Sequence, residues 1–346
     1  MLLWRLGGDI HGFTGIEESL LRIGGCFFFC FLEIMQYLCW KIETKMMLDE
    51  NICAKPFVKW VGGKTQLLGE VEKSLPGNFA SINDAVYVEP FVGGGAVLFW
   101  ILQKYSNISQ AVINDINPDL INVYRVIKDT PQDLISVLRQ YQDSYIYLND
   151  EERKAFYLTR RKIFNQKAVS REEMAALFIF LNRTCFNGLY RVNAKGEFNV
   201  PHGKYANPKI CDEANILAVS RLLQRVTILC GDFSETLQYA SNKSLFYFDP
   251  PYKPLTETSS FTSYAKEGFN DDEQKRLGKF CVEISKKHAM FVASNSDPQG
   301  VNPKEDFFCR VYSAFSIRKV QATRMINANP NGRGKLSEIM ITNISL

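Results

Sequence analysis

The chain has 346 residues, of which 46% are hydrophobic and 23% are charged, a balance that is ordinary for a soluble globular protein with a large core. Its net charge of +4 permits a nucleic-acid partner without requiring one. The nine cysteines include no CxxC pair and the three histidines are scattered, which argues against zinc, so we expect no metal, reduced thiols and a cytoplasmic protein.

Residues 1–50 differ in character from the rest of the chain. The run from Cys26 to Trp40 is strongly apolar, but it contains Glu33 and is too short to span a bilayer comfortably. It also lacks the small-residue cleavage site of a secretory signal. We interpret it as part of an N-terminal extension of unknown role, with a start at Met46 or Met47; an amphipathic or partner-binding helix is the alternative. Nothing after residue 50 resembles a membrane-spanning segment, so no membrane partner is expected.

From residue 85 onwards, short apolar runs alternate with amphipathic segments, which predicts an α/β fold with a largely parallel sheet. Strands are predicted at Ala85–Glu89, Ala111–Asn114, Val226–Cys230, Leu245–Phe248, Ala289–Ser294, Phe308–Ala314 and Glu338–Asn343. One helix should follow the first strand and another should precede the fifth, at Gly93–Lys104 and Asp271–Lys287.

More than a hundred residues separate the second predicted strand from the third, far more than a crossover needs. The interval contains helical patterns at Pro118–Tyr141, Arg153–Asn165 and Arg171–Leu181, followed by a piece rich in Gly and Asn. It also contains the stretch Arg153–Lys204, with 11 Lys or Arg against 3 Asp or Glu. We predict an inserted subdomain over residues 118–208 with a phosphate-contacting surface; a solvated basic helix face is the alternative.

A glycine-rich turn follows the first predicted strand, in the sequence VEPFVGGGAVLFW. Leu98 stands where a dinucleotide-binding GxGxxG turn has its third glycine. The fit is better to FxGxG, the nucleoside-binding turn of methyltransferases, which falls on Phe91, Gly93 and Gly95. Asp115 comes twenty residues after Gly95, where an acidic side chain can bind ribose hydroxyls. The pattern predicts a nucleoside site; a purely structural turn with a capping Asp is the alternative.

The tetrapeptide formed by Asp249, Pro250, Pro251 and Tyr252 directly follows the fourth predicted strand. The exocyclic amine of an aromatic base is a poor nucleophile because its lone pair is delocalised into the ring. The Asp249 carboxylate and the Pro250 carbonyl can accept both amine hydrogens, which draws the nitrogen towards tetrahedral geometry and aims its lone pair. Two prolines fix this backbone, and Tyr252 can stack on a base taken out of a helix. A structural proline-rich turn is the alternative.

Two further segments carry candidate contacts. The segment KWVGGKTQLL contains GGKT, but Val58 occupies the first glycine position of a P-loop, so we reject ATP binding and assign Trp60 and Lys64 to a nucleoside cofactor. The segment Asn182–Tyr205 interleaves Arg, Lys and Asn with aromatic residues, and its AKGE suits a tight hairpin turn at Gly196. Such a basic β-ribbon can enter a groove of DNA; an ordinary surface hairpin is the alternative.

With these elements in this order, the chain from Lys55 onwards resembles the Dam-type family of adenine-N6 DNA methyltransferases, which includes enzymes of GATC-specific restriction systems. The resemblance rests on KWVGGK, VEPFVGGG, NDIN, NGLYR, GEFNVPHGKY and DPPY, of which the hairpin is the most specific. It implies a Rossmann-like class I methyltransferase sheet over residues 51–117 and 209–346, with a helical target-recognition subdomain at 118–208 that carries the β-hairpin. It also implies S-adenosylmethionine as cofactor and methylation of GATC in double-stranded DNA by base flipping. A cognate restriction endonuclease encoded nearby, without direct contact, is compatible with it.

The family's functional positions can be carried over one by one. Together with the glycine turn at Phe91, Gly93 and Gly95, contacts with S-adenosylmethionine are implied for Trp60, Lys64, Asp115, Asp249 and, against the cofactor adenine, Phe233. Catalysis is implied for the loop Asp249–Tyr252. Contacts with DNA are implied for Lys59, Phe186, Asn187, Leu189, Arg191, Pro201 and Lys204. Among these, Arg191 corresponds to a guanine reader, Leu189 to a thymine-methyl contact, Phe186 to an aromatic residue inserted into the duplex, and Lys204 to a phosphate contact.

Other methyltransferases fit the residues less well. A cytosine-N4 methyltransferase usually has Ser at the position of Asp249, and an enzyme acting on RNA or on protein glutamine more often has Asn there and lacks the hairpin. A catalytically inactive DNA-binding paralogue is disfavoured because every expected cofactor and catalytic position is filled. The sequence therefore predicts a site-specific DNA adenine methyltransferase.

Overall fold

The computed structural model describes residues 52–60, 62, 64–255, 269–323 and 335–345. The predictions about residues 1–50 lie outside these ranges. None of the helices that the described residues form is long and apolar enough to cross a membrane.

The described residues form one mixed sheet with seven strands, β1 (Ala85–Glu89), β2 (Ile108–Ile113), β3 (Val226–Ile228), β4 (Ser244–Phe248), β5 (Met290–Ser296), β6 (Ser316–Thr323) and β7 (Lys335–Thr342). Their spatial order is β3-β2-β1-β4-β5-β7-β6. Neighbouring strands are parallel except where β7 pairs with β5 and with β6. This order, with an antiparallel seventh strand, is that of a Rossmann-like methyltransferase sheet and confirms the predicted fold class.

Nine α-helices lie within the described ranges, α1 (Leu68–Lys73), α2 (Ala96–Lys104), α3 (Pro118–Asp129), α4 (Pro131–Ile146), α5 (Asp150–Gln166), α6 (Arg171–Thr184), α7 (Glu213–Leu223), α8 (Asp271–Lys286) and α9 (Phe307–Val311). The helical stretch predicted over Pro118–Tyr141 is confirmed, but it is divided at Thr130 into α3 and α4. Pro131 has no N–H to continue the hydrogen-bond pattern of α3, and it begins α4 instead.

The prediction of a sixth strand at Phe308–Ala314 is wrong. Phe308 and Tyr312 are four residues apart and both are buried, which is the spacing of one face of a helical turn, and α9 covers most of this segment. The strand lies further along the chain, at β6. Its apolar alternation is weak because it is an edge strand of the sheet and carries charged and polar residues.

Two hydrophobic clusters cover the sheet. Alternate residues of β1 and β4 enter different clusters, Tyr87 and Tyr247 the first, and Val88 and Phe246 the second. The first cluster continues into the helices of the predicted insertion, for example through Phe180 of α6. The insertion therefore shares a continuous core with the sheet, while its predicted bounds at residues 118 and 208 stay a prediction.

Candidate functional site

The glycine-rich turn and the Asp249 tetrapeptide follow the carboxyl ends of β1 and β4, two strands that are neighbours in the sheet. The chain runs outwards from β1 to β3 and then returns to the other side of β1 as β4, so the strand order reverses between them. Ligands of open parallel sheets bind in the crevice at such a reversal. The fold thus brings the predicted cofactor turn and the predicted catalytic loop to adjacent positions.

The glycine turn is shaped by two left-handed residues, Gly93 with φ of +48° and Gly95 with φ of +75°. A Cβ atom on Gly93 would lie 2.8 Å from Cδ1 of Trp60, and a Cβ atom on Gly95 would lie 2.5 Å from the Tyr124 hydroxyl oxygen. That hydroxyl donates to the Gly93 carbonyl oxygen at 2.9 Å. Both the backbone conformation and the close packing therefore require glycine here.

Asp115 follows the end of β2 and closes the glycine turn from the side. Its carboxylate accepts the backbone N–H of Gly93 at 3.1 Å and that of Asn117 at 2.9 Å. Burial raises the pKa of Asp115, and the backbone donors oppose that rise. The next residue, Ile116, is 79% exposed, although isoleucine is usually buried. An acceptor and an exposed apolar surface thus stand side by side next to the turn.

An aromatic cluster lies on the other side of the turn. The Phe91 and Phe233 ring centroids are 5.4 Å apart, and Phe269 packs against both. The Arg276 guanidinium lies 4.0 Å above the Phe233 ring, while it binds both carboxylate oxygens of Asp232. Phe233 is therefore buried within the cluster, whereas Phe91 is half-buried.

The Asp249 carboxylate receives two contacts, and both are made to its Oδ1 atom. Lys64 Nζ lies 3.0 Å from this oxygen, and the Ser294 hydroxyl donates to it at 3.1 Å. The Asp249 side chain is 21% exposed and that of Lys64 is 8% exposed. Burial raises the pKa of Asp249, and the Lys64 ammonium and the Ser294 hydroxyl oppose the rise by stabilising the charged form.

The other oxygens of the loop have no such partner in the part of the chain that the structure describes. No described residue donates to Oδ2 of Asp249 or to the Pro250 carbonyl oxygen, whereas the Pro251 carbonyl accepts a bond from Gln274. Two acceptors on consecutive residues, Oδ2 of Asp249 and the Pro250 carbonyl oxygen, are thus left unpaired by the described residues.

Tyr252 is held from two directions. Its hydroxyl donates to Oε2 of Glu338 on β7 at 2.7 Å, and the Lys64 ammonium lies 4.2 Å above its ring centroid. A single cation therefore contacts the carboxylate at the start of the tetrapeptide and the aromatic ring at its end. Lys64 was predicted to bind the cofactor, and in the structure it lies against Asp249 and Tyr252.

A second carboxyl group lies behind the tetrapeptide. Glu89, at the end of β1, is only 2% exposed and accepts the Tyr87 hydroxyl at 2.8 Å. Burial raises the pKa of Glu89 well above its ordinary value, and the nearby charge of Asp249 adds to the rise. This carboxyl group therefore favours its neutral, protonated form.

The predicted β-ribbon forms a short antiparallel bridge between Val192 and Phe198, with Gly196 at φ of +75° in the turn. The Arg191 side chain is exposed, and its Nε atom donates to the side-chain oxygen of Asn199 at 2.7 Å. Helix α5 supports the ribbon from below, since Tyr157 donates to the Val200 carbonyl at 2.8 Å. The predicted hairpin is confirmed.

The other predicted DNA contacts lie around the ribbon. Phe186 is 52% exposed, and its N–H donates to the Pro201 carbonyl at 2.9 Å, which ties the two segments together. Leu189 is half-buried. The other remaining candidates have exposed side chains: Lys59, Asn187, Pro201 and Lys204. The Lys59 ammonium lies 4.1 Å above the Tyr205 ring.

Trp60 lies between the glycine turn and the ribbon. Its ring lies against Gly93 and stacks with Tyr190 at 5.8 Å and with Phe178 at 6.3 Å between ring centroids. The preceding residue, Lys59, exchanges two backbone hydrogen bonds of 2.8 Å with the buried Asn182 amide. The glycine turn and the ribbon are therefore packed onto one short segment.

Residues 60–326 match the family model for D12 class N6 adenine-specific DNA methyltransferases. The chain belongs to this family. The earlier resemblance to Dam-type adenine methyltransferases is confirmed, and both an enzymatic role in DNA adenine methylation and a DNA substrate follow from membership.

Three relatives align with this methyltransferase over nearly their whole length. The Type II methyltransferase M.MjaIII of Methanocaldococcus jannaschii is 50% identical over 292 residues, which cover 84% of this chain and 99% of the relative. The Type II methyltransferase M1.LlaDCHI of Lactococcus lactis subsp. cremoris is 39% identical over 303 residues, which cover 86% and 98%. The DNA adenine methylase of Escherichia coli strain K12 is 30% identical over 286 residues, which cover 83% and 94%.

The methyltransferase site also contains side chains that the sequence reasoning missed. Ser294, Glu338 and Gln274 each contact the Asp249–Tyr252 loop from another element. Only Ser294 had a signal in the sequence. It begins a run of three polar residues at the point where the apolar run of a predicted strand stops. No group of three or more His, Cys, Asp or Glu side chains placed to hold a metal occurs among the described residues.

Proposed function

We propose that this methyltransferase transfers the methyl group of S-adenosylmethionine to N6 of adenine in GATC sites of double-stranded DNA, after flipping the base out of the helix. The observation that carries the proposal is the pair of acceptors that no described residue occupies, Oδ2 of Asp249 and the Pro250 carbonyl, directly after the strand next to the one that leads into the glycine turn. An exocyclic amine offers two N–H donors, which matches this pair. We place the reaction in the cytoplasm.

The residues around the glycine turn fit S-adenosylmethionine. The Asp115 carboxylate can accept ribose hydroxyls, and the exposed Ile116 and half-buried Phe91 offer apolar surfaces for the adenine ring. Gly93 and Gly95 allow the backbone to approach the ligand. When bound, the cofactor supplies an electrophilic methyl carbon, whose bond to sulfur breaks as the bond to N6 forms.

The chain's own groups orient the amine. Oδ2 of Asp249 and the Pro250 carbonyl accept the two N6 hydrogens, so the nitrogen becomes more tetrahedral and its lone pair points along the line of attack. Lys64 contacts Oδ1 of Asp249, which stabilises the charged form of the carboxylate and holds it in place. The methylated nitrogen then loses its extra proton, which needs no strong base because an aryl ammonium is acidic. Tyr252 stacks on the flipped base.

The ribbon reads the site. Arg191 has donors for a bidentate contact with guanine, Leu189 contacts a thymine methyl group, and the exposed Phe186 ring inserts where the adenine has left. Lys204 contacts a phosphate of the DNA, and three other residues around the ribbon also contact the DNA: Lys59, Asn187 and Pro201. The Type II methyltransferase names of two relatives favour a companion restriction endonuclease that cuts the same site, without direct contact between the proteins.

The test is methyl transfer from tritiated S-adenosylmethionine to a duplex with one GATC site and to a duplex of the same composition without it. Sequencing should place the mark on the GATC adenine. Asp249→Ala should abolish transfer and keep DNA binding, while Asp129→Ala, a surface carboxylate paired with Arg171, should leave both unchanged. Equal labelling of the two duplexes would contradict the GATC assignment, and turnover by Asp249→Ala would contradict the role of Asp249.

A further inference from the structure

Strand β5 ends in three consecutive polar residues, Ser294, Asn295 and Ser296, which are only 1%, 1% and 2% exposed. Buried polar side chains are costly unless they are hydrogen-bonded. Here each of these three side chains forms a hydrogen bond with the loop that contains Asp249 and Tyr252, at one of its two ends.

At the first end of the loop, the Ser294 hydroxyl donates to Oδ1 of Asp249 at 3.1 Å. The same hydroxyl lies 3.2 Å from the hydroxyl of the buried Tyr247. Ser294 is thereby fixed between a strand residue and the carboxylate. Because it and Lys64 both bind Oδ1, the free oxygen of the carboxylate is Oδ2 among the described contacts.

At the other end of the loop, three bonds hold the main chain. Lys253 N–H donates to the Asn295 side-chain oxygen at 3.1 Å, and the Ser296 hydroxyl donates to the Lys253 carbonyl at 2.7 Å. The Gln274 amide of α8 donates to the Pro251 carbonyl at 2.9 Å and accepts from the Asn295 amide at 3.1 Å. Gln274 is 1% exposed, so the Asn295–Gln274 bond is buried.

The neighbouring strand adds a contact in the middle of the loop. Glu338 on β7 is paired in register with Ser296 and accepts the Tyr252 hydroxyl at 2.7 Å. Asp249, Pro251, Tyr252 and Lys253 are thus each tied to the scaffold, and Pro250 has a ring that restricts its own backbone.

We propose that Ser294, Asn295, Ser296 and Gln274 are positioning residues for methyl transfer, which hold the loop so that Oδ2 of Asp249 and the Pro250 carbonyl face the target amine. The inference rests on the proposed function. Its physical reason is that a displacement of about 1 Å from the reactive geometry can cost roughly 100-fold in rate. These side chains bond to the loop and act through it.

The experiment measures single-turnover methyl transfer to GATC DNA, with enzyme in excess, for Ser294→Ala and Asn295→Ala. Matched controls are Ser244→Ala, a buried serine at the start of β4, and Asn343→Ala, whose amide bonds the start of β5. We expect the first pair to lose about 10- to 100-fold in the maximal rate, while their KM values for DNA and cofactor, measured separately in steady-state assays, stay within about twofold of the wild-type values. The controls should keep the wild-type rate at a similar melting temperature.

Two further variants separate positioning from general stability. Ser294→Thr keeps the hydroxyl and should restore the rate, whereas in Ser294→Ala the loss of that donor raises the pKa of Asp249, so the acid limb of the rate moves to higher pH. Should Asn295→Ala fail to fold, the nearly isosteric Gln274→Glu removes the donor to Pro251 and keeps the acceptor for Asn295, and it should show the same loss of rate.

The inference is overturned if Ser294→Ala and Asn295→Ala react within twofold of their controls, or if only KM changes. If the variants give that result and the wild-type enzyme is active, the proposed function still stands. A wild-type protein that transfers no methyl group to adenine would instead contradict the proposed function itself, and the inference with it.

Discussion

Replacing Gly93 by alanine tests the most constrained point of the cofactor turn. Gly93 has φ of +48°, and a methyl group there would lie 2.8 Å from Cδ1 and 2.9 Å from Nε1 of Trp60. The left-handed backbone costs a residue with a Cβ about 1–2 kcal/mol. Overpacking a closed contact costs about 1–3 kcal/mol more. We therefore expect Gly93→Ala to lower the free energy of unfolding by about 2–5 kcal/mol.

Urea unfolding followed by circular dichroism measures this loss. The matched control is Gly69→Ala in α1, where no atom lies within 4 Å of the added methyl group and φ is not left-handed, so it should gain about 0.5–1 kcal/mol. In a Trp60→Ala background the clash disappears, and the same Gly93 substitution should cost only the backbone part, about 1–2 kcal/mol. A loss below about 1 kcal/mol in the wild-type background, or an equal loss with and without Trp60, would refute this reasoning.

Three further predictions concern charge. Because burial raises the pKa of Glu89 well above 4.5, the folded state keeps a proton that the unfolded state has released, so the free energy of unfolding should fall by up to about 1.4 kcal/mol per pH unit as the pH rises from that value towards the folded-state pKa. Urea titrations across pH should show that Glu89→Gln removes this slope; an unchanged slope would mean that Glu89 is charged. Lys64→Met removes a cation that opposes the raised pKa of the partly buried Asp249, so the acid limb of the methyl-transfer rate should move to higher pH, and a fixed limb would assign that limb to another group. Arg191→Ala should reduce discrimination against duplexes with a replaced GATC guanine by about 1–3 kcal/mol, measured as competing methylation rates, and an intact preference would remove Arg191 from the reading residues.

Local patterns were sufficient for most elements of the fold. Strand β1 was predicted to the residue and helix α8 to within one residue, because an apolar run and an amphipathic repeat each carry their own signal. The failures have local causes as well. Pro131 was passed over inside a long helical pattern, and the aromatic residues around Phe308 were interpreted as a strand although their spacing also fits a helical turn.

Within the site, residues that belong to a motif could be predicted from the sequence, and residues outside the motifs could not. Residues inside a motif could be placed from the sequence, because the glycine turn and the Asp249 tetrapeptide each follow a predictable strand. Ser294 and Glu338 could not be placed, since their partners in the loop lie 45 and 86 residues away along the chain. Such contacts depend on the register between β5 and its neighbours, and no local pattern encodes that register.

Under the proposed function, Trp60 lies between the turn that binds the cofactor and the ribbon that reads the DNA site, so we expect the two events to be mechanically linked. Its ring fills the space that the absent side chain of Gly93 leaves, and it stacks with Tyr190, the residue directly before Arg191 in the ribbon. A ligand that orders the glycine turn therefore also restricts the ring on which the ribbon rests. Packed interiors transmit small shifts because they have few voids to absorb them. On this physical ground, a change at Gly93 that leaves the fold intact should alter not only the affinity for the cofactor but also the choice of DNA site.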